Sequence, residues 1–217
     1  HHWMDHNYGL KQGDYDYLKE DGSTMTVKNG SSAEFFNMYN YATTANTSTQ
    51  QFYDNMDSYL NLENFTDYVI AETYYNNGDW IGDWTNNIKM WRSPKVDGKW
   101  HYLMYDLDFG LGYSGSVNDN RLNIALNPQA FSYTSNLMNA MLDNPMFRKY
   151  FINRYADLVN TIFKNSEMDD VMHQFQDSMS HDMQDHFALW GSTMNDWQDN
   201  IDDMMNFVSR RPAKARD

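Results

Sequence analysis

The sequence predicts an α+β fold that is predominantly helical, with one small β-hairpin near its middle. Apolar residues recur at helical spacing from about residue 132 onward, and again between about 32 and 77. Bulky and polar residues alternate between 87 and 110, around a turn. Asn, Gly and Pro clusters punctuate these runs. A chain of 217 residues, 41% hydrophobic and 16% aromatic, is long enough to bury a substantial core, and its length fits one domain or a large part of one.

Residues 11–32 carry Gly13, Gly22 and Gly30 among Asp, Lys and Ser, with a short β-like run "TMTV" at 24–27, so they read as loop with one hairpin at most. In "SAEFFNMYNYATTA", Ser32 stands at a capping position and Phe35, Tyr39 and Ala42 share a face. A second helix is expected over 48–60. The third, "NLENFTDYVIAETYYNN", has Asn61 as cap, a stripe of Leu62, Phe65 and Val69, and a stop at Asn76-Asn77-Gly78. Next come "NIKMWRS" and "KWHYLMYDLDFG", joined by the turn "PKVDGK", which predict the hairpin. Residues 110–127 read as loop. Beyond them Asn144 caps and Pro145 opens a core helix with Phe147, Phe151, Tyr155, Leu158 and Ile162 in register. Two amphipathic helices follow, one using Met168, Val171, Phe175 and Met179, the other Trp197, Ile201, Met204 and Val208. The methionines on these stripes read as adaptable core filler.

Sixteen basic residues against 30 acidic ones give a net charge of −14, which argues against a general nucleic-acid binder. No window reaches the ~18 apolar residues of a membrane span. The absence of cysteine excludes disulfides and zinc–thiolate centres, and leaves both a reducing cytosol and a bacterial exterior open. A tyrosine-rich opening without a start methionine or a leader is the expected mark of a chain lying inside a longer protein.

The strongest chemical cluster is Asp79, Asp83, Asn86 and Asn87 in "DWIGDWTNNIKMW", with Asp106 and Asp108 in "YDLDFG". A hairpin brings its two ends together, so Asn86 and Asn87 are expected beside Asp106 and Asp108. Two acids two apart on a strand point to one face. Carboxylate and amide oxygens suit a hard cation such as Mg²⁺. Trp84, Trp91, Trp100, Tyr105 and Phe109 are expected to supply a low-dielectric wall. The plain alternative is that Asp and Asn serve turns and helix ends.

The stretch "NFTDYVIAETYYNNGDWIGDWTNNIKMWR", followed by "GKWHYLMYDLDFGLG", resembles the core of the CotH (spore coat protein H) kinase family: a helix, an Asp-Trp segment, Asn-Asn before a strand, then Tyr-Asp-x-Asp and a glycine. The ending "FVSRRPAKARD" is similar to the way that domain closes. The resemblance implies a protein-kinase-like fold that transfers phosphate from ATP, with Mg²⁺, to protein serines. It implies Asp79 as the catalytic aspartate, Asn87 or less surely Asn86 as a metal-binding amide, and Asp106 with Asp108 as metal-binding acids. Asp83 competes with Asp79 as the base, because the spacing from Asp79 to Asn87 exceeds that of ordinary kinase catalytic loops. On this reading residues 1–217 hold mainly a carboxy-terminal lobe, and the phosphate-binding lysine of the amino-terminal lobe has no counterpart. Expected partners are a protein substrate, with no nucleic acid and no membrane span, and the expected location is a bacterial surface or the exterior.

Two other readings compete: a catalytically silent pseudokinase, and a glycan-binding or surface interaction module with a structural Ca²⁺, which requires exposed Trp80, Trp84 and Trp91. Among lesser signals, His1, His2 and His6 read as a solvated cluster, His181 and His186 are five apart and unsuited to one metal, and Arg210, Arg211, Lys214 and Arg216 read as a partner for a helix dipole and the acidic surface.

Overall fold

The structure, a computed structural model, describes residues 2–82, 85–127 and 130–216. In chain order the elements are α1 (His2–Tyr8), β1 (Asp16–Asp21), β2 (Thr24–Asn29), α2 (Ala33–Thr44), α3 (Gln50–Tyr59), α4 (Leu62–Tyr74), β3 (Ile88–Arg92), β4 (Trp100–Leu103), α5 (Arg121–Ala125), α6 (Tyr133–Asp143), α7 (Pro145–Asn160), α8 (Asn165–Trp190) and α9 (Met194–Lys214). The fold is α+β and helix-dominated, as the sequence predicts. The β content is larger than one hairpin: β1 and β2 form a second, and all four strands join in one antiparallel sheet ordered β2-β1-β3-β4. Residues 11–32, read as loop with one hairpin at most, therefore supply that hairpin and half of the sheet. Its polar strands hide the signal, since only one face is apolar.

That face carries Leu18, Ile88, Met90, Trp100 and Tyr102, and closes the core against Phe35, Phe52, Phe65 and Phe147 from the helices. Glu20 lies on the same face, fully buried. It accepts from Ser132 Oγ and Thr134 Oγ1, both at 2.6 Å, and from the Thr134 amide at the start of α6. A carboxyl at a helix amino terminus meets unpaired N–H groups there. The opposite face presents Tyr17, Lys19, Lys89, Trp91 and His101, with Trp91 stacked on His101 and packed in a small satellite cluster with Met4, Leu10 and Tyr15. The outer edge of β4 is covered: the Asn64 side chain exchanges two hydrogen bonds with the Tyr102 backbone, at 2.6 and 3.1 Å. This covering removes an exposed pairing edge.

Helix signals translate closely. Thr49, Asn61, Ser132 and Asn144 cap their helices through side-chain oxygens, whereas Ser32 stands at its cap position without such a bond. The long-helix stripes need correction. Ile162 lies in the turn after α7 and is exposed. On α8 only Met168 and Met172 are buried, while Val171, Phe175 and Met179 are exposed. Periodicity shows which residues share a face, not whether a neighbour covers it. No helix among the described residues is long and apolar enough to cross a membrane.

Candidate active site

The site is built where α4 stops. Asn76 takes a left-handed backbone (φ 55°), turning the chain out of the helix, and Asn77, fully enclosed, follows it. Three main-chain or amide contacts then zip the segment 75–79 to the segment 106–111: Asn77 Nδ2 donates to the Asp106 carbonyl, the Gly78 amide to the Phe109 carbonyl and the Leu111 amide to the Tyr75 carbonyl, at 3.3, 3.1 and 2.8 Å. Gly78 lets the segments approach closely: a Cβ there would fall 1.9 Å from Ser114 Oγ and would displace that side chain.

Asp79 leaves this junction with both neighbouring amides upon it. Asn87 Nδ2 donates to Asp79 Oδ2 at 2.9 Å and Asn86 Nδ2 to the same oxygen at 3.2 Å. The Asp106 carboxyl lies beside that of Asp108 and is held above the usual carboxylate range, first by desolvation, then by the charges of Asp108 and Asp79, with Lys89 opposing. The structure thus brings Asp79, Asn86, Asn87, Asp106 and Asp108 into one cluster. Asp83 and Trp84 lie outside the described residues.

The route to this cluster differs from the sequence expectation. Asp106 and Asp108 are not on a strand: β4 ends at Leu103, and a left-handed Asp106 (φ 60°) turns the chain so that the two acids meet. Both are exposed rather than buried. Among the described residues the expected low-dielectric wall does not form, since Trp91 and Trp100 are core residues while Tyr105 and Phe109 are exposed. Burial of Trp80 and Trp91 likewise removes two of the three rings that a glycan-binding platform requires. Asn87 is left-handed too (φ 58°). Non-glycine residues rarely adopt this conformation, and Asn and Asp tolerate it best.

Asp79 lines one cavity and its partner Asn87 lines another. One, of about 610 Å³, is lined by Gly78, Asp79, Phe109, Ser114, Arg121 and Ile124. The other, of about 430 Å³, lies on the outer face of the sheet and is lined by Tyr17, Lys19, Lys28, Asn87, Lys89 and Tyr105. Lys19 and Lys89 sit directly opposite each other on β1 and β3. Like charges in that register are unfavourable. Lys19 is eased by Asp21 (2.8 Å) and Asn86 Oδ1 (3.3 Å), and Lys89 lies over the Tyr105 ring. Lys28 enters the same cavity beside a register shift, where Tyr17 pairs with Asn29 but Leu18 pairs with Val27. A bulge of this kind re-aims a side chain. Sequence reading missed these lysines because three strands contribute them. A cavity of about 690 Å³ beside Phe151, Tyr155 and Arg211 includes none of the site acids.

The support of the site was missed as well. Asn77 Nδ2 donates to Glu72 Oε2 at 2.9 Å, and burial pushes the Glu72 carboxyl up to about 8, with hydrogen bonds from Asn77 and Tyr68 opposing the shift. Arg211 donates to the carbonyls of Thr73, Tyr74, Val117 and Asp119 at 2.7 to 2.9 Å. Arg211 thus meets the last carbonyls of α4 while also standing in the last turn of its own helix, α9.

Among the described residues no group of three or more His, Cys, Asp or Glu is placed to hold a metal ion. The donor set at Asp106, Asp108 and Asn87 is nonetheless all oxygen, and neighbouring carboxyls whose charges repel each other and Asp79 suit a hard divalent cation that keeps several of its waters. A family model described as CotH kinase protein matches residues 4–214. No curated protein matches the chain.

Proposed function

The chain belongs to the CotH kinase family, and on that premise we propose that it transfers the γ-phosphoryl group of ATP to a serine hydroxyl of a protein substrate, in a metal-dependent reaction. The observation that carries this reading is the double amide grip on Asp79 beside the Asp106–Asp108 pair. Both amides engage Oδ2, so Oδ1 is assigned to the acceptor hydroxyl. Asp79 orients that hydroxyl and receives its proton as the oxygen bonds to the γ-phosphorus and the bond from that phosphorus to the bridging oxygen breaks, releasing ADP. Fixing a carboxylate by two amides holds it in one rotamer, which lowers the entropy lost on reaching an attacking geometry.

Asp106, Asp108 and Asn87 are the residues that would hold Mg²⁺, whose role when bound is to neutralise phosphate charge. Lys19, Lys28 and Lys89 face the anionic part of the nucleotide from the sheet, which supports a phosphate seat within this chain. The cavity along Gly78, Asp79 and Phe109 lies on the acceptor's side.

The test is phosphate transfer from labelled ATP to an added protein acceptor. Asp79→Ala and Asp108→Ala are each expected to lower the rate by about 10²- to 10⁴-fold, whereas Asp83→Ala leaves it within about threefold of wild type. Equal labelling by Asp79→Ala and wild type refutes the role of Asp79; a collapse in Asp83→Ala alone transfers that role to Asp83.

A further inference from the structure

We infer that Asn77 is a positioning residue that fixes the separation between Asp79 and the Asp106–Asp108 acids, and that Glu72 is its buried anchor. One side chain reaches all three parties. Its Oδ1 accepts from the Asp79 amide at 3.2 Å, and its Nδ2 donates both to the Asp106 carbonyl (3.3 Å) and to Glu72 Oε2 (2.9 Å). Its own amide donates to the Glu72 carbonyl at 3.2 Å, so the anchor holds it at both ends. Glu72 and Asn77 have no solvent exposure at all, while Asp106 and Asp108 are exposed.

This contrast gives the arrangement its purpose. Two exposed acids that repel each other have no packing of their own to keep them beside Asp79. A turn held only by main-chain bonds can shift by the length of one contact, and a displacement of about 1 Å is enough to cost catalysis heavily. Asn77 ties the carbonyl of the strained Asp106 directly to the amide of Asp79, and Glu72 ties both to the rigid end of α4. Asparagine is the side chain that suits the position, since it needs one acceptor and two donors in one short plane. Outer partners that orient ligand-bearing segments typically change metal affinity 10- to 100-fold when lost.

The inference rests on the proposed reading only in calling the acids metal ligands, and the test separates the two. Amide hydrogen exchange and Mn²⁺ binding, followed by the loss of its free-ion paramagnetic signal, are measured on wild type, Asn77→Ala, Asn77→Ser and Glu72→Gln. In the Asn77 variants the Gly78, Gly110 and Leu111 amides are expected to exchange at least about tenfold faster while α7 amides keep wild-type protection, and Mn²⁺ affinity falls by about tenfold. Glu72→Gln, whose amide oxygen still accepts from Asn77, is expected to stay within about threefold of wild type on both measures. Wild-type exchange at Gly78, Gly110 and Leu111 in folded Asn77 variants overturns the inference, as does acceleration shared equally by α7. Loss in Glu72→Gln as large as in Asn77→Ala overturns the anchoring role. Failure of wild type to bind Mn²⁺ counts against the metal reading, while the exchange data still decide the clamp.

Discussion

Glu72 shows how one buried carboxyl sets a pH dependence. Its pKa of about 8 in the folded chain lies above its ordinary value near 4.5 because burial disfavours the charged form. The folded state thus binds the proton more tightly than the unfolded one. Its contribution to stability is complete below about pH 4.5 and is lost as pH rises through about 8. Over that window the loss is on the order of 5 kcal/mol. Glu20, also raised chiefly by burial, acts with the same sign. Urea unfolding at pH 5 and pH 8 should therefore show wild type weakening toward pH 8, with Glu72→Gln visibly flatter but not flat, because Glu20 remains. An unchanged slope in Glu72→Gln would show that Glu72 is already ionised in the folded chain. Neither residue stands out in the sequence, where an acid within "VIAETYY" or "YLKED" is an ordinary surface letter.

Among elements, the junction of α6 and α7 was the most legible and also does more than its motif announces. "DNP" predicts a stop, a cap and a first-turn proline, and Asn144 Oδ1 indeed accepts from the Met146 and Phe147 amides at 3.0 and 2.9 Å. Its Nδ2 also donates to the Thr47 and Thr49 carbonyls, at 2.7 and 3.0 Å, and so joins this junction to the turn between α2 and α3. Asn144→Ala is expected to lower the unfolding free energy in urea by about 2–3 kcal/mol, roughly 1 from the cap and the rest from the two hydrogen bonds that tether it to the Thr47 and Thr49 carbonyls. Asn144→Asp keeps the cap but not the tether, so it should recover less than half of that loss. The sheet was less legible. Strand β1 mixes Lys19, Glu20 and Asp21 with Tyr17 and Leu18, and its pairing with β3, some seventy residues away, is set by contacts that no local pattern records.

At the scale of the whole molecule, charge and topology act against each other. A chain of net charge −14 repels polyphosphates at long range, yet the sheet gathers Lys19, Lys28 and Lys89 around one cavity. Screening confines the general repulsion to about 10 Å at 0.1 M salt, so the local field decides what binds there. Lys28→Met and Lys89→Met are each expected to raise the KM for ATP by roughly tenfold, with kcat and the urea midpoint little changed. An unchanged KM in both would remove the phosphate role from this face. The three lysines that line this cavity come from separate strands, so no single motif in the sequence marks them.

The sequence by itself determined the helix-dominated fold, the caps, the family and the letters of the site, because helical periodicity, capping and short motifs are local and depend on a few neighbouring residues. Only the tertiary structure decided that Asp106 and Asp108 meet through a left-handed turn, that Asn77 joins them to Asp79 over a buried Glu72, and that Arg211 holds the end of α4. These are contacts between segments far apart in the chain. Their geometry follows from which faces pack together, and that choice is made by the whole core at once.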